Sequence, residues 1–328
     1  MGILIWMMIV LEMCQSRLVP TWIFENGWTL RKESLDCSQL QPKSLSDQLN
    51  HKFEPSDLIW HPDRKELFVV SDHGHLASLD ISGNVSRDWK IHGKPDLEGV
   101  TLIPDRLDSV YLGQEYPAAI LEFDLKSETI QRTWDLQSFL DARPDTQDPN
   151  KGLESLAFIP SPHSKNHGFF YVGRQSDALI FIFDIPVLEG QVVLRGTIKP
   201  PGPGYDLSSL TVHKDMLWML YDKDKSLYAI DLLEPGLIPT TQNIVAVDAT
   251  AKPVKRIGSM SFNIRGQEGI AFVENASGSW VFVAVDAPKK AGQKNILRYT
   301  LREFFGCFSS YGLNSLPLRI ASQPKKDL

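Results

Sequence analysis

Ten positions of this sequence recur in register, and most carry oxygen-bearing side chains. Ser56, Glu98, Glu154, Ser208 and Glu268 open short apolar segments; Asp72, Glu115, Gln175, Asp222 and Asp286 close the apolar segment that follows each. Brought to one place, such a set has a restricted chemistry. Carboxylates at close range repel, so some must take up protons or a cation. Hard oxygen ligands from several segments suit calcium (Ca2+), which accepts irregular geometry. His and Cys are absent from these positions, which turns the set away from zinc and copper. A lone acid in such a place would more simply cap a turn or accept a backbone N–H. Repetition in register is what points to a shared site.

The elements that must position these residues are themselves a repeat. PSDLIWHPDRKELFVVSD from Pro55, LEGVTLIPDRLDSVYLGQE from Leu97 and LESLAFIPSPHSKNHGFFYVGRQ from Leu153 share one pattern with LSSLTVHKDMLWMLYD from Leu207 and QEGIAFVENASGSWVFVAVD from Gln267. Each reads as two apolar strands joined by a turn with Pro, Asp, Asn or Gly. A third strand follows in every copy: HLASLDI, AAILEFDL, ALIFIFDI, SLYAIDLL and NILRYTL. Fourth strands are predicted at NVSRDWKI, ETIQRTWDL and QVVLRGTI. Four antiparallel strands recurring at roughly 40–60 residues describe the blade of an all-β propeller. Strand two runs back along strand one, so the start of the first and the end of the second share a mouth of the channel. The ten positions should therefore converge there.

Five blades are expected, with six as the alternative if Val19–Leu40 and the C-terminal tail form one more. The last blade lacks a fourth strand, and the segment Ser46–Phe53 is its expected donor, which closes the ring and removes an open edge. The domain division that follows is 1–40 as a signal, anchor or disordered segment, 41–316 as a single propeller, and 317–328 as a disordered tail.

Composition narrows the partners. The chain has 328 residues, 42% hydrophobic and 23% charged, with a net charge of −6. That argues against nucleic acid or an anionic membrane surface, which call for a basic face. Cys14, Cys37 and Cys307 form no CxxC or Cys/His cluster; Cys37 and Cys307 could pair if the chain ends meet. The apolar start MGILIWMMIV is too short to span a bilayer as a helix, so no transmembrane helix is expected. GxSxG, P-loop and HExxH signatures are absent. His73, next to Asp72, is the candidate base if the site is catalytic, and a loop histidine otherwise. Arg174 could meet an anionic ligand or balance the acids. Tyr116 and Tyr221 flank ring acids and could shape a pocket, while Trp60, Trp218 and Trp280 suit the blade core. A monomer is expected.

DLEGVTL, GLESLAF, DLSSLTV with LWMLYD and KSLYAIDL, and GQEGIAF resemble the characteristic phrases of the SdiA-regulated family of β-propeller proteins, over about Pro55 to Leu301. That family is related to the esterase-like phytase and the gluconolactonase/regucalcin-like propellers. In the latter an inner-strand Glu of a Glu-Gly motif is a metal ligand. By resemblance that role falls to Glu98, and by repetition to Glu154 and Glu268. The resemblance implies a calcium-binding propeller, exported or membrane-anchored, that presents its channel pocket to a small molecule or a protein. The alternatives are a calcium-dependent lactonase or phosphoesterase, and a metal-free scaffold. This sequence departs from the pattern at Gln175, Ser56 and Ser208, and the ten positions include no Asn. The unevenness predicts an off-axis cation near blades 2, 3 and 5.

Overall fold

A strand that is apolar on both faces needs cover on both sides. GFFYVGR at Gly168–Arg174 is such a strand, buried along its whole length. The computed structural model of the chain supplies the cover by stacking sheet against sheet around an axis. It describes residues 18–25, 29–36, 42–45, 49, 53–141, 152–161, 167–186, 190–200, 202–232, 237–239, 252–253, 258–261, 266–275, 278–286, 294–301 and 303–304.

Blade 1 consists of Pro55–His61, Glu66–Ser71, His75–Leu79 and Val85–Lys90. Leu97–Thr101, Ser109–Gln114, Ala119–Asp124 and Thr129–Asp135 form blade 2. In blade 3, Leu153–Pro160, Gly168–Arg174, Ile180–Asp184 and Val193–Lys199 are joined at the outer edge by Lys252–Pro253, which runs parallel. Blade 4 takes Leu207–His213, Met216–Tyr221, Ser226–Asp231 and Gly258–Ser261. Gln267–Asn275, Gly278–Asp286 and Lys294–Thr300 form blade 5, and Lys43–Ser44 completes it. Five apolar clusters hold the ring, each shared between two neighbouring blades.

Lys43–Ser44 pairs antiparallel with Leu297–Arg298, and the Leu45 N–H donates to the Ile296 carbonyl at 2.9 Å. The closing strand therefore precedes the expected Ser46–Phe53. Phe53 is already buried with Leu45 in the cluster between blades 5 and 1, because the chain must by then have crossed from the outer edge to the inner strand. Leu18–Glu25 pairs with Thr29–Asp36 as a two-stranded hairpin, and the ring is complete with five blades, not six. Residues 1–17, the three cysteines and the tail 317–328 lie outside the described residues.

The inner strands touch in sequence around the axis, and glycine sets their approach. A Cβ on Gly99 would lie 2.8 Å from the Leu156 Cβ and 2.9 Å from its backbone nitrogen. Gly99→Ala is expected to lower stability by about 1–3 kcal/mol through overpacking, read as a reduced midpoint in urea at unchanged slope.

Candidate functional site

Every inner strand carries a β-bulge, and in each blade the bulge falls on the position singled out in the sequence. The pairing register skips Ser56 in blade 1, Glu98 in blade 2, Glu154 in blade 3, Ser208 in blade 4 and Glu268 in blade 5. A bulge inserts an unpaired residue and re-aims its side chain. Here it turns five side chains toward the mouth of the channel.

Backbone hydrogen bonds bring the strand-two ends beside them. The N–H groups of Glu115, Gln175, Asp222 and Asp286 donate to the carbonyls of Asp96, Gly152, Asp206 and Gly266, at 2.9, 3.2, 3.3 and 2.7 Å. In blade 1 the Asp72 N–H donates to the Ser56 Oγ at 3.1 Å. In blades 2–5 the acceptor lies two residues before the bulge, and the same register across the blades holds further acids: Glu54, Asp96 and Asp206. Sequence reasoning missed all three, although the same repeat carried the signal two positions upstream.

These elements enclose a cavity of about 180 Å³. Its lining is Glu54, Ser56, Asp72, Glu98, Glu154, Gln175, Asp206, Ser208, Asp222, Glu268 and Asp286. Every lining side chain offers oxygen, eight are carboxylic acids, and none is basic. The sequence-derived ring is thus brought together, with one exception. Glu115 does not line the cavity; it is buried behind it, where its Oε1 accepts the Gly152 N–H at 3.4 Å. Glu115 does lie with Asp96 and Glu98, the three offering oxygens within 4.8 Å of one another.

Burial pushes the Glu98 carboxyl well above the usual range, and the charges of Glu154 and Asp96 add to it. Glu154 is raised by burial and then by Glu268 and Glu115. Glu268 is pushed up to about 8 by burial, with Asp222 and Asp286 contributing. Burial also raises Asp72 and Asp222, the latter against hydrogen bonds from the Gly266 and Gln267 N–H groups at 2.8 and 3.2 Å. Gln175 donates from Nε2 to the Glu154 Oε1 at 2.9 Å, so the amide relieves the third blade of one negative charge.

A second row of recurring acids behaves oppositely. Backbone and hydroxyl hydrogen bonds from Ser127 hold Asp124 below its ordinary value. At Asp80, hydrogen bonds from Asn84 outweigh a burial penalty with the same result. These acids shape the turns from strand three to strand four. The contrast separates acids that build the fold from acids gathered at the mouth.

His73 stands at the rim, 53% exposed and outside the cavity lining. Its Nδ1 is 3.1 Å from the Asp72 Oδ1, and its Nε2 is 3.7 Å from the Glu54 Oε2. Lys223 takes the same register position in blade 4 and lies 2.8 Å from the Asp206 Oδ1. Arg174 neither meets a ligand nor balances the ring: it is buried, pairs with Asp177 and donates to the Leu140 carbonyl, anchoring the short helix Gln137–Asp141. Tyr221 is also buried, packed edge-on against Tyr228, so it belongs to the core and not to the mouth. Tyr116 is exposed. Trp218 is buried, and Trp60 and Trp280 pack against the cluster between blades 5 and 1.

A model of the SdiA-regulated family matches residues 43–235. No curated protein matches the chain. Among solved structures, Myxococcus xanthus glutaminyl cyclase aligns over 75% of this chain and 89% of its own, at 12% identity and a TM-score of 0.49. A protein of unknown function from Bacteroides caccae aligns over 87% and 90%, at 10% identity and a TM-score of 0.42. Kuenenia stuttgartiensis hydrazine synthase aligns over 77% and 69%, at 14% identity and a TM-score of 0.40. The family match starts at the closing strand Lys43–Ser44 and runs through the bulges at Ser56, Glu98, Glu154 and Ser208. The chain belongs to the SdiA-regulated family.

Proposed function

We propose that the mouth of this propeller is a cation cup that takes one calcium ion and presents it to a small ligand or a partner protein. The observation that carries the reading is the lining itself: oxygen donors from all five blades, eight of them carboxylic acids, with no basic side chain among them. The raised carboxyls are groups that would exchange protons for a cation. A further fit comes from Asp96, which lies with Glu98 and Glu115, the three offering oxygens within 4.8 Å of one another. Glu98, Glu154 and Glu268 would hold the ion, with Asp72, Asp222, Asp286 and the Gln175 carbonyl as the further oxygens, and Glu115 behind Glu98 would add negative charge without reaching the cup. Calcium, when bound, would supply positive charge and open positions for a ligand oxygen.

At about 180 Å³ the cup is smaller than the roughly 300–1,000 Å³ of sites for drug-sized molecules. The occupant is therefore an ion with its waters, or the compact end of a larger ligand. An extracytoplasmic setting, where weak calcium sites fill, agrees with this reading. Among the described residues no helix is long and apolar enough to cross a membrane. Hydrolysis has less support, because His73, its candidate base, stands outside the lining.

Titration calorimetry with calcium chloride on the chelator-treated chain tests the proposal. One calcium per chain is expected, with protons released as the carboxyls ionise. No heat with calcium, in buffers of differing ionisation enthalpy, would remove the reading.

A further inference from the structure

We propose that Asp57 is the stopper of the cup: its carboxyl crosses the channel axis beneath the ligand ring, closes the floor, and fixes the spacing of the blades that carry Ser56 and Ser208. The proposal rests on the cation-cup reading for its functional consequence, though not for its geometry.

The residue after each bulge is Asp57, Gly99, Ser155, Ser209 or Gly269, and all five are buried. Four of these are Gly or Ser, so only blade 1 sends a longer side chain into this layer. The Asp57 Oδ2 accepts the Val100 N–H of blade 2 at 3.0 Å. Its Oδ1 accepts the Ser209 hydroxyl of blade 4, also at 3.0 Å. Blades 1 and 4 are not neighbours in a ring of five; blade 5 lies between them. Gly269 of blade 5 passes so near that a Cβ there would lie 2.8 Å from the Asp57 Cα. The carboxyl therefore ties three blades together across the axis, one residue deeper than the ring.

Burying a carboxyl is unfavourable unless it is well hydrogen-bonded. Among the described residues the donors to Asp57 are backbone N–H groups and one hydroxyl, and burial pushes its titration well up. Glycine at the same place in blades 2 and 5 shows that the inner strand does not need a carboxyl to form. What Asp57 supplies is closure. With the floor sealed, a ligand enters and leaves by one mouth, and no chain threads the axis past the ion. Asp57 is a positioning residue: by its hydrogen bond to Ser209 it sets the distance between blades 1 and 4, and with it that between Asp72, whose N–H is held by Ser56, and Asp222.

The test uses the full chain with Asp57→Gly, Asp57→Asn and Ser209→Ala. Two quantities are read: hydrogen exchange at the Val100 amide in chelator, and calcium affinity by calorimetry. For Asp57→Gly, Val100 exchange should quicken at least about tenfold and calcium affinity should fall about tenfold or more, as when the group that orients a ligand is lost. Asparagine keeps a side-chain oxygen of similar shape and should recover most of both; Ser209→Ala should show a smaller loss of each. Wild-type calcium affinity in Asp57→Gly, or an asparagine variant as impaired as the glycine one, overturns the positioning role. If Asp57→Gly does not fold, the other two variants carry the same comparison. If the wild type binds no calcium, the cup reading fails separately, and unchanged Val100 protection in the variants would then overturn the stopper as well.

Discussion

In calcium at about 1,000 times its dissociation constant, the chain should melt roughly 8–16 °C higher than in chelator. Binding to the native state alone contributes about 4 kcal/mol at that ratio, and a domain of this size gains about 2–4 °C per kcal/mol. Glu98→Gln should behave differently in the two conditions. In chelator above neutral pH the variant should melt above the wild type, because it removes a carboxyl whose ionisation is disfavoured by burial and by Glu154 and Asp96. In calcium that advantage should shrink, because a ligand is lost; a tenfold weaker affinity removes about 1.4 kcal/mol of the stabilisation. The smaller rise of the variant between chelator and calcium is the diagnostic. A residue that only packed would lower both melting temperatures. Identical melting of the wild type in calcium and in chelator would exclude a calcium-stabilised cup.

The second large effect is a loss of stability with rising pH when no cation is present. Glu268 titrates at about 8 in the folded chain, against 4.5 as its ordinary value. Between those values the folded chain holds a proton that the unfolded chain has released. Unfolding then releases a proton, so stability falls as pH rises through this window and levels above it. The full shift corresponds to at most about 5 kcal/mol, and water at the mouth reduces it to a few. The melting temperature in chelator should drop by about 5–10 °C between roughly pH 5 and pH 8. Glu268→Gln should flatten much of that slope, and calcium should do the same in the wild type by replacing the protons. A wild-type curve that rises over the window, or a Gln variant with the wild-type slope, contradicts the assignment.

Both expectations depend on how the repeat was built. The five apolar segments, their partner strands and the acids at their ends were legible because strand pairing is periodic, and a site repeated five times leaves five marks. Val110 to Leu112 and Phe169 to Val172 must be covered on both faces, and a ring of stacked sheets is the arrangement that covers them. The closing strand was placed a few residues late, since Lys43–Ser44 is too short to show a pattern of its own. Gly258–Ser261, the fourth strand of blade 4, was missed for the same reason. Arg174 looked like a ligand-binding or charge-balancing residue because it precedes Gln175. Its burial on Asp177 and the Leu140 carbonyl depends on a helix from the blade before.

The sequence by itself determined the blade and the row of acids at one mouth, because these are local and repeated; five blades over six was decided by the pairing of Leu18–Glu25 with Thr29–Asp36 outside the ring. Tertiary structure alone decided which acids face the cavity. The bulge at each of the five positions depends on pairing between strands, and it turns Glu98, Glu154 and Glu268 inward while Glu115 stays behind. It also brought Glu54 and Asp206 to the mouth and Asp96 beside Glu98 and Glu115, and laid Asp57 across the axis to Ser209, 152 residues away. Contacts of that kind arise only when the ring closes, because nothing in a single blade holds the partner that another blade supplies.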